Sequence, residues 1–292
     1  MHILITDSGV GGLSVVAYAE RFVRTHGFAE PVRLTFANAA PENDYGYNSM
    51  PSREEKLRTF DRFLTNVTAR YAPDMIYVAC NTLSVLLPDT PYFHRAAIPV
   101  KGIVETGVAL VERALDADPQ SVAMIFATQT TIDAGAYPRL LEAQGIEASR
   151  IISQACPGLA DTISEDREGV RTKSEIDRWV DAAIEKMQRN VRPVVACLAC
   201  THYGYRKDLF ADAFAEARLP AVVVNPNESA VDDIFGTVSD AVPRMNRDVE
   251  VAFVTRYAIP AATVEALTWF LSEISPRTVA AMKNFVHVPD LF

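Results

Sequence analysis

Short apolar runs rich in β-branched residues alternate along this chain with longer segments in which apolar residues recur every three or four positions. The short runs lack a regular apolar–polar alternation, which indicates strands with both faces covered. Their order among helical segments predicts an α/β protein with largely parallel sheets. The predicted strands are Ile3–Thr6, Arg33–Ala37, Met75–Ala79, Val100–Val104, Val122–Ala127, Arg150–Ser153, Val194–Ala199, Val222–Val224 and Val249–Val254.

The longer segments predict helices, and Ser52–Tyr71 shows the pattern most fully. Ser52 and Glu55 have the spacing of a capping box, which satisfies backbone N–H groups at a helix start. Six apolar residues then fall on one helical face: Leu57, Phe60, Phe63, Leu64, Val67 and Tyr71. Further helices are predicted at Leu13–Arg24, Lys173–Arg189 and Lys207–Arg218.

Three landmarks occur twice in the sequence, at nearly one spacing. The end of an apolar run and a cysteine each recur after 120 residues, and a proline before another apolar run recurs after 121. A repeat of this kind indicates two similar α/β halves. The paired landmarks are Asp7 with Ala127, Cys80 with Cys200, and Pro99 with Pro220.

We therefore predict two similar doubly wound domains with largely parallel sheets. The predicted boundaries give a discontinuous first domain, residues 1–98 plus 208–292, and a second domain at residues 99–207. Open parallel sheets bind ligands outside the carboxyl ends of their strands. The active site is thus expected in the cleft between the two domains.

Composition narrows the class of protein. A formal net charge of −9 over 292 residues disfavours binding to nucleic acid or to an anionic membrane, since phosphate groups need a positive surface. The segment Met1–Asp7 has no basic leader, and no apolar run is long enough to span a bilayer. Four cysteines in a chain of this length do not suggest a disulfide framework, so a reducing cytoplasm is expected.

The cysteines at 80 and 200 are the residues most suited to chemistry. Cys80 follows an apolar run and precedes a predicted helix, where backbone N–H groups can stabilise a thiolate and lower its pKa. The competing interpretation is a small buried hydrophobic residue, which describes most free cysteines. Cys200 has the same setting, and His202 two positions later can hold its proton or stabilise its thiolate.

Two other patterns in the sequence could carry chemistry. Cys197 and Cys200 have the C-x-x-C spacing of redox pairs and zinc ligands, but Cys197 lies within a predicted strand and is assigned to the core, so no metal is expected. The turn from Asp7 to Gly12 resembles a dinucleotide-binding loop, yet Ser14 stands where the third glycine is required. That turn can still offer N–H groups to a carboxylate, with Asp7 as a base or as a residue that orients a thiol.

Together these motifs resemble the aspartate/glutamate racemase family, and within it the glutamate racemases most closely. The matching segments run in family order over about residues 1–235. They are Asp7-Ser8-Gly9-Val10-Gly11-Gly12-Leu13-Ser14, Ala79-Cys80-Asn81-Thr82, Gly102-Ile103-Val104-Glu105, Ala127-Thr128 with Thr131-Ile132 and Gly135-Ala136-Tyr137, Ala155-Cys156-Pro157, and Cys200-Thr201-His202-Tyr203.

The resemblance implies an enzyme that uses neither pyridoxal phosphate nor metal, and so no cofactor. One cysteine thiolate removes the α-proton of an amino acid and the other thiol protonates the opposite face, with Asp7 assisting Cys80 and His202 assisting Cys200. The implied substrate is a small acidic amino acid, L- or D-glutamate, for peptidoglycan precursors, and family members often form homodimers. The residues implied to bind it are Ser8, Tyr45, Gly46, Asn81, Thr82 and Thr201.

The chain departs from the family pattern at several positions. Asp44 replaces the proline of a Pro-Tyr-Gly loop, Ser164 stands where an auxiliary glutamate is expected, and Thr130 and Thr106 replace a glycine and a proline. These changes leave the two cysteines in place, but they allow a substrate other than glutamate. The alternatives are a racemase of aspartate or another amino acid, a non-catalytic ligand-binding protein, and a redox protein built on Cys197 and Cys200.

Overall fold

The strands of the computed structural model follow the apolar runs of the sequence. The structure describes residues 1–43, 45–187, 192–236 and 246–292. Within these ranges each predicted strand is present, and one short strand that was not predicted follows near the end of the chain. The strands are β1 (His2–Asp7), β2 (Val32–Asn38), β3 (Met75–Val78), β4 (Val100–Gly102), β5 (Val122–Ala127), β6 (Ile151–Ala155), β7 (Val194–Ala199), β8 (Ala221–Val224), β9 (Val249–Thr255) and β10 (Val286–His287).

Helices occupy most of the connections between these strands. They are α1 (Leu13–His26), α2 (Arg53–Tyr71), α3 (Asn81–Ser84), α4 (Pro91–Arg95), α5 (Ile103–Ala117), α6 (Gln129–Asp133), α7 (Ala136–Ala143), α8 (Leu159–Glu165), α9 (Val170–Lys186), α10 (Lys207–Glu216), α11 (Pro226–Phe235), α12 (Ala261–Leu271) and α13 (Pro276–Lys283). Short 3₁₀ turns lie at Leu87–Asp89, Ala148–Arg150 and Tyr203–Arg206.

Helix α2 shows how the sequence directs local structure. Ser52 caps it, accepting a hydrogen bond from the Glu55 backbone N–H at 3.1 Å. Of the six predicted face residues, Phe60, Phe63, Leu64 and Val67 are buried. The amphipathic spacing therefore identified the buried face of this helix correctly.

The chain forms two compact units, and the first contains Met1–Ile103 and Asn227–Phe292. Its six-stranded sheet has the order β10-β9-β2-β1-β3-β4, and each neighbouring pair is parallel. Strand β1 lies inside the sheet, and its residues from Ile3 to Asp7 are all buried. This explains why its sequence reads as an apolar run without alternation.

The second unit contains Val104–Pro226 and has a four-stranded parallel sheet with the order β6-β5-β7-β8. The first unit contains the same order as β2-β1-β3-β4, to which β9 and β10 add two further strands. The predicted fold class, α/β with two similar halves and parallel sheets, is confirmed.

The unit boundaries differ from the predicted ones at residues 98 and 207. Strand β4 pairs with β3, so the first unit continues to Ile103. Strand β8 pairs with β7, so α10 and β8 lie in the second unit, which continues to Pro226. Both differences arise because strand pairing, and not local sequence, assigns a segment to a sheet.

The apolar C-terminal tail packs on the first unit. Strand β10 pairs with β9, Leu291 is buried, and the ring of Phe292 lies 5.4 Å from that of Phe63. In the described part of the chain, the structure has no helix that is both long and apolar enough to cross a membrane. The predicted end of a helix at Arg189 and the charge of Asp44 fall outside the described residues.

One hydrogen-bonded loop of the second unit gives a pH-dependent prediction. The carboxylate of Asp166 accepts hydrogen bonds from the backbone N–H of Gly169, and from both the N–H and hydroxyl of Thr172, at 2.8–3.2 Å. Burial alone raises the pKa of Asp166, but these donors and the charge of Arg171 outweigh it and leave the pKa below its ordinary value.

A lowered carboxyl pKa stabilises the fold above the unfolded pKa and loses that contribution as the pH falls through the folded pKa. At pH 7 the free energy of unfolding of Asp166→Asn is therefore expected to be about 1–3 kcal/mol lower than that of the wild-type protein. This difference should shrink below about pH 4, where the carboxylate of Asp166 becomes protonated. Urea unfolding at several pH values measures it. A gap that stayed constant from pH 7 to pH 3 would contradict this role of the Asp166 charge.

Candidate active site

The topology of each sheet selects one pair of strand ends as its ligand-binding position. In the first unit the chain leaves β1 toward β2 on one side and later returns to place β3 on the other, so the switch point lies between β1 and β3. In the second unit it lies between β5 and β7. Crevices at such switch points, outside the carboxyl ends of the strands, are the usual ligand sites of open α/β sheets. Asp7 ends β1, while Cys80 and Cys200 follow β3 and β7 by one or two residues.

The first switch point brings three predicted site residues together. The Oγ of Ser8 lies 3.0 Å from the Sγ of Cys80, and the Ser8 hydroxyl donates to Oδ1 of Asp7 at 3.5 Å. Asp7 and Cys80 are 1% and 5% exposed. Ser8, which is half-buried, thus links the buried carboxylate to the buried thiol.

The Cys80 thiol is held in its neutral form. Burial raises its pKa to about 12, the Asp7 charge acts in the same direction, and hydrogen bonds from Ser8 and from the Leu83 backbone only partly oppose this. The expected effect of the helix start is present, since the Leu83 backbone N–H lowers this pKa, but burial and the Asp7 charge outweigh it. Cys80 occupies the N-cap position of α3, although its side chain makes no capping hydrogen bond there.

The glycine-rich turn allows the start of α1 to lie against Asp7. A Cβ on Gly12 would be 2.8 Å from both the Cβ and Oδ2 of Asp7, and 3.1 Å from the Cβ of Ala79. Real Cβ atoms do not come this close, so position 12 requires a residue without a side chain. The glycine serves close packing between a strand end and a helix, which differs from the dinucleotide role considered above.

Four of the six predicted substrate-binding residues lie in two settings of the first unit. Asn81 and Thr82, directly after Cys80, are both buried. Tyr45 is 36% exposed and donates its hydroxyl to Oε1 of Glu55 at 2.7 Å, while a Cβ at Gly46 would meet no atom within 4 Å. Sequence reasoning did not single out Tyr47, whose ring is buried although its neighbours Gly46 and Asn48 are not. The Tyr-Gly-Tyr spacing was the available signal.

The second unit places Cys200, Thr201 and His202 in the turn after β7. Cys200 and Thr201 are 7% and 2% exposed, and His202 is half-buried. The N–H of Tyr203 donates to the Cys200 carbonyl at 3.0 Å, which closes the turn. The Tyr203 hydroxyl donates to the carbonyl of Cys156 at 3.1 Å and so ties this turn to the segment after β6.

The other two cysteines are buried thiols. Cys197 lies within β7 with no exposed surface; burial raises its pKa to about 12, and a hydrogen bond with Tyr137 only partly offsets this. Cys156 is buried after β6, and burial raises its pKa as well. All four cysteines are free. No group of three or more His, Cys, Asp or Glu side chains within the described ranges is arranged to hold a metal ion.

Two of the departures from the family pattern, Ser164 and Thr130, lie in short helices. Ser164 lies in α8 and donates to the Ala160 carbonyl at 2.9 Å, while Glu165 ends that helix and is exposed. Thr130 lies in α6, a helix capped by Thr128 through the Thr131 N–H at 3.3 Å.

These features define the class of protein: two α/β halves of related topology, each with a cysteine turn after the third strand of its repeated four-strand order. Compared with known proteins, the chain is 28% identical over 232 residues to a glutamate racemase of Nitratiruptor sp., a match that covers 79% of this chain and 81% of that protein. No family model matches the sequence.

Solved structures agree with this class. Glutamate racemase from Campylobacter jejuni superimposes with a TM-score of 0.69 at 20% identity, covering 92% of this chain and 98% of that one. The Francisella tularensis glutamate racemase in complex with D-glutamate gives a TM-score of 0.68 at 20% identity, covering 92% and 93%. The resemblance to glutamate racemases predicted from the motifs is thereby confirmed, and the fold is theirs.

Proposed function

We propose that this protein is a cofactor-independent amino-acid racemase that interconverts L- and D-glutamate. The observation that carries the proposal is the joined group of Asp7, Ser8 and Cys80 at one switch point, with Cys200 in the same topological position of the other unit. The names of the relatives supply the substrate. D-Glutamate formed in this way would serve the synthesis of peptidoglycan precursors.

The proposed reaction transfers one proton at each face of the substrate α-carbon. A thiolate takes the α-proton, and the electrons of the broken C–H bond remain on the substrate as a carbanion delocalised into its carboxylate. The second thiol then donates its proton to the opposite face and becomes a thiolate. The reverse reaction exchanges the two roles. Because the mechanism inverts configuration without turning the substrate, it requires one thiol for each face.

The raised pKa of Cys80 fits a base that is formed only when substrate is present. Two effects in the free protein disfavour the Cys80 thiolate: burial of the sulfur and the negative charge of Asp7. The ammonium group of an amino acid bound beside Cys80 would lower the thiol pKa by direct charge interaction. Ser8 joins Asp7 to Cys80, so a proton leaving the sulfur has a hydrogen-bonded route to a carboxylate.

Hydrogen-bond donors near the substrate would stabilise the charge that develops on its carboxylate. We assign this role to Ser8, Asn81, Thr82 and Thr201, with Tyr45 and Gly46 holding the substrate and His202 assisting Cys200. Fixed donors of this kind lower the barrier because they need no reorientation during the reaction.

Proton NMR in deuterium oxide tests the proposal, with the purified protein and single enantiomers of glutamate, aspartate and other amino acids. Loss of the α-proton signal of glutamate without added cofactor is expected, together with formation of the other enantiomer on chiral chromatography. Loss of the α-proton signal from aspartate alone would identify the protein as an aspartate racemase. Binding without exchange for every amino acid would contradict a racemase and support the ligand-binding alternative.

A further inference from the structure

Ser84 joins the turn that carries Cys80 to the strands on which that turn is built. It lies in α3 and is 6% exposed. Its backbone N–H donates to the Cys80 carbonyl at 2.8 Å, and its hydroxyl donates to the Val78 carbonyl at 3.0 Å. The hydroxyl oxygen also accepts a hydrogen bond from the Ile103 N–H at 3.0 Å. One buried side chain thus links the end of β3, the Cys80 turn and the start of α5.

This hydroxyl occupies the place of a backbone hydrogen bond between β3 and β4. The two strands are parallel, and the Ile76 N–H donates to the Pro99 carbonyl. Because the pattern of a parallel ladder repeats every two residues, the Ile103 N–H falls opposite the Val78 carbonyl. The Oγ of Ser84 lies between these two groups and bonds to both. It therefore takes over the last hydrogen bond of the ladder, directly before the cysteine turn.

Removal of this hydroxyl would leave two buried backbone groups unpaired. Val78 and Ile103 have no exposed surface, so water has no access to replace the serine. Unpaired buried polar groups are costly, and the direct remedy is a hydrogen bond from the Ile103 N–H to the Val78 carbonyl. That bond requires the ends of β3 and β4 to approach each other, which moves the turn that follows β3. The hydroxyl is therefore a spacer between the two strand ends.

The second unit closes its cysteine turn with a different side chain. The repeat that relates Cys80 to Cys200 relates Ser84 to Gly204, which has no side chain. A Cβ on Gly204 would be 2.7 Å from both Nδ2 and Oδ1 of Asn225, a buried residue directly after β8. In each unit a buried polar side chain thus lies between the cysteine turn and the end of the fourth strand of the repeated order. This link accompanies the cysteine turn in both units, although the residue that supplies it differs.

We propose that Ser84 is a positioning residue for the Cys80 thiol. Its hydroxyl sets the spacing between the ends of β3 and β4 and thereby holds the Cys80 Sγ against the Ser8 Oγ, 3.0 Å away. The effect on turnover rests on the proposed function, whereas the effect on the position of the sulfur does not. Proton transfer depends steeply on geometry, and a displacement of about 1 Å can lower a rate about 100-fold.

The kinetics of Ser84→Ala test the effect on turnover. We expect kcat for glutamate racemisation to fall about ten- to hundredfold with KM within about twofold of the wild-type value, because the substrate still binds while proton transfer is impaired. Ser275→Ala is the matched control. It removes another buried serine hydroxyl of the same unit, which accepts the Thr278 N–H at 3.1 Å at the start of α13, and it should keep both constants within about twofold.

Isotope effects separate a displaced thiol from a smaller amount of folded protein, because they do not depend on enzyme concentration. With α-deuterated L- and D-glutamate, slower transfer at Cys80 should raise the substrate isotope effect for the enantiomer that Cys80 deprotonates. It should lower that effect for the other enantiomer, whose deuterium is taken by Cys200. Ser275→Ala should change neither value. A fall in kcat of Ser84→Ala with both isotope effects unchanged would contradict a positioning role.

Crystal structures of the wild type and of Ser84→Ala test the position of the sulfur without turnover. The Cys80 Sγ is expected to move at least about 0.5 Å relative to the Ser8 Oγ, a change large enough to disturb a catalytic arrangement. An unchanged position would overturn the proposal whether or not the protein is a racemase. If the wild type fails the exchange experiment above, the proposed function is wrong and this comparison alone decides the role of Ser84. Should Ser84→Ala not fold, Ser84→Cys repeats both tests, since a thiol of similar size is only a weak donor and acceptor.

Discussion

Replacing either Cys80 or Cys200 by serine is expected to lower the rate of glutamate racemisation by about 10²- to 10⁴-fold. A serine hydroxyl is a far weaker acid than a thiol, so it forms little of the anion that must remove the α-proton. Since both faces of the α-carbon need a proton carrier, each single replacement should stop interconversion. Chiral chromatography of reaction mixtures started from L- and from D-glutamate measures the loss in each direction.

Cys156→Ala and Cys197→Ala provide matched controls. Both remove a buried free thiol from the second unit, but neither residue lies in the turn that follows β7. They are expected to lower stability and to keep turnover. If a single serine replacement at Cys80 or Cys200 retained more than a tenth of wild-type activity, the two-thiol mechanism would be wrong. A reversible disulfide between Cys197 and Cys200 would favour the redox alternative.

Gly169→Ala is expected to destabilise the protein by about 3 kcal/mol. Gly169 has φ +80°, a conformation that costs an L-residue roughly 1–2 kcal/mol. A Cβ there would also lie 2.1 Å from Nη1 of Arg206. Arg206 is only 6% exposed and its guanidinium pairs with Asp208, so it cannot move aside freely, and crowding of this kind costs about 1–3 kcal/mol.

Gly158→Ala separates these two costs. Gly158 has nearly the same φ, +81°, but a Cβ on it would meet no atom within 4 Å. It should lose only the conformational contribution, about 1–2 kcal/mol. Urea unfolding of both variants measures the difference. Equal destabilisation would show that Arg206 yields to the new methyl group and that its buried position is not restrictive.

The strands were the most predictable part of this fold. The bounds of Val122–Ala127 and Val194–Ala199 agree with the predicted ones, because strands covered on both faces must be apolar throughout. The end of β4 was less predictable. The apolar run continues to Val104, but α5 begins at Ile103, and only the pairing of β4 with β3 distinguishes strand from helix there.

The residues of the candidate site could be predicted from sequence motifs, but their burial and the charges around them could not. The Asp7-Ser8 turn and Cys80 were identified from sequence because a strand followed by a polar turn has a local signature, and the structure brings Asp7, Ser8 and Cys80 together. The sequence indicated that backbone N–H groups at the helix start lower the pKa of Cys80, but it did not indicate the larger opposing effects of burial and of the Asp7 charge, which depend on residues distant in sequence. Tyr47 was missed because an aromatic residue in a loop gives no sign of where its ring will pack.

The sequence by itself determined the α/β class, the twofold repeat and the two cysteine turns, since these depend on local periodicity and on short motifs. Only the tertiary structure decided that α10 and β8 join the second unit, that the C-terminal tail packs on the first, and that Cys80 is a neutral thiol near Asp7. The physical reason is common to all three: strand pairing, burial and the field of a neighbouring charge are set by contacts between segments far apart in the chain.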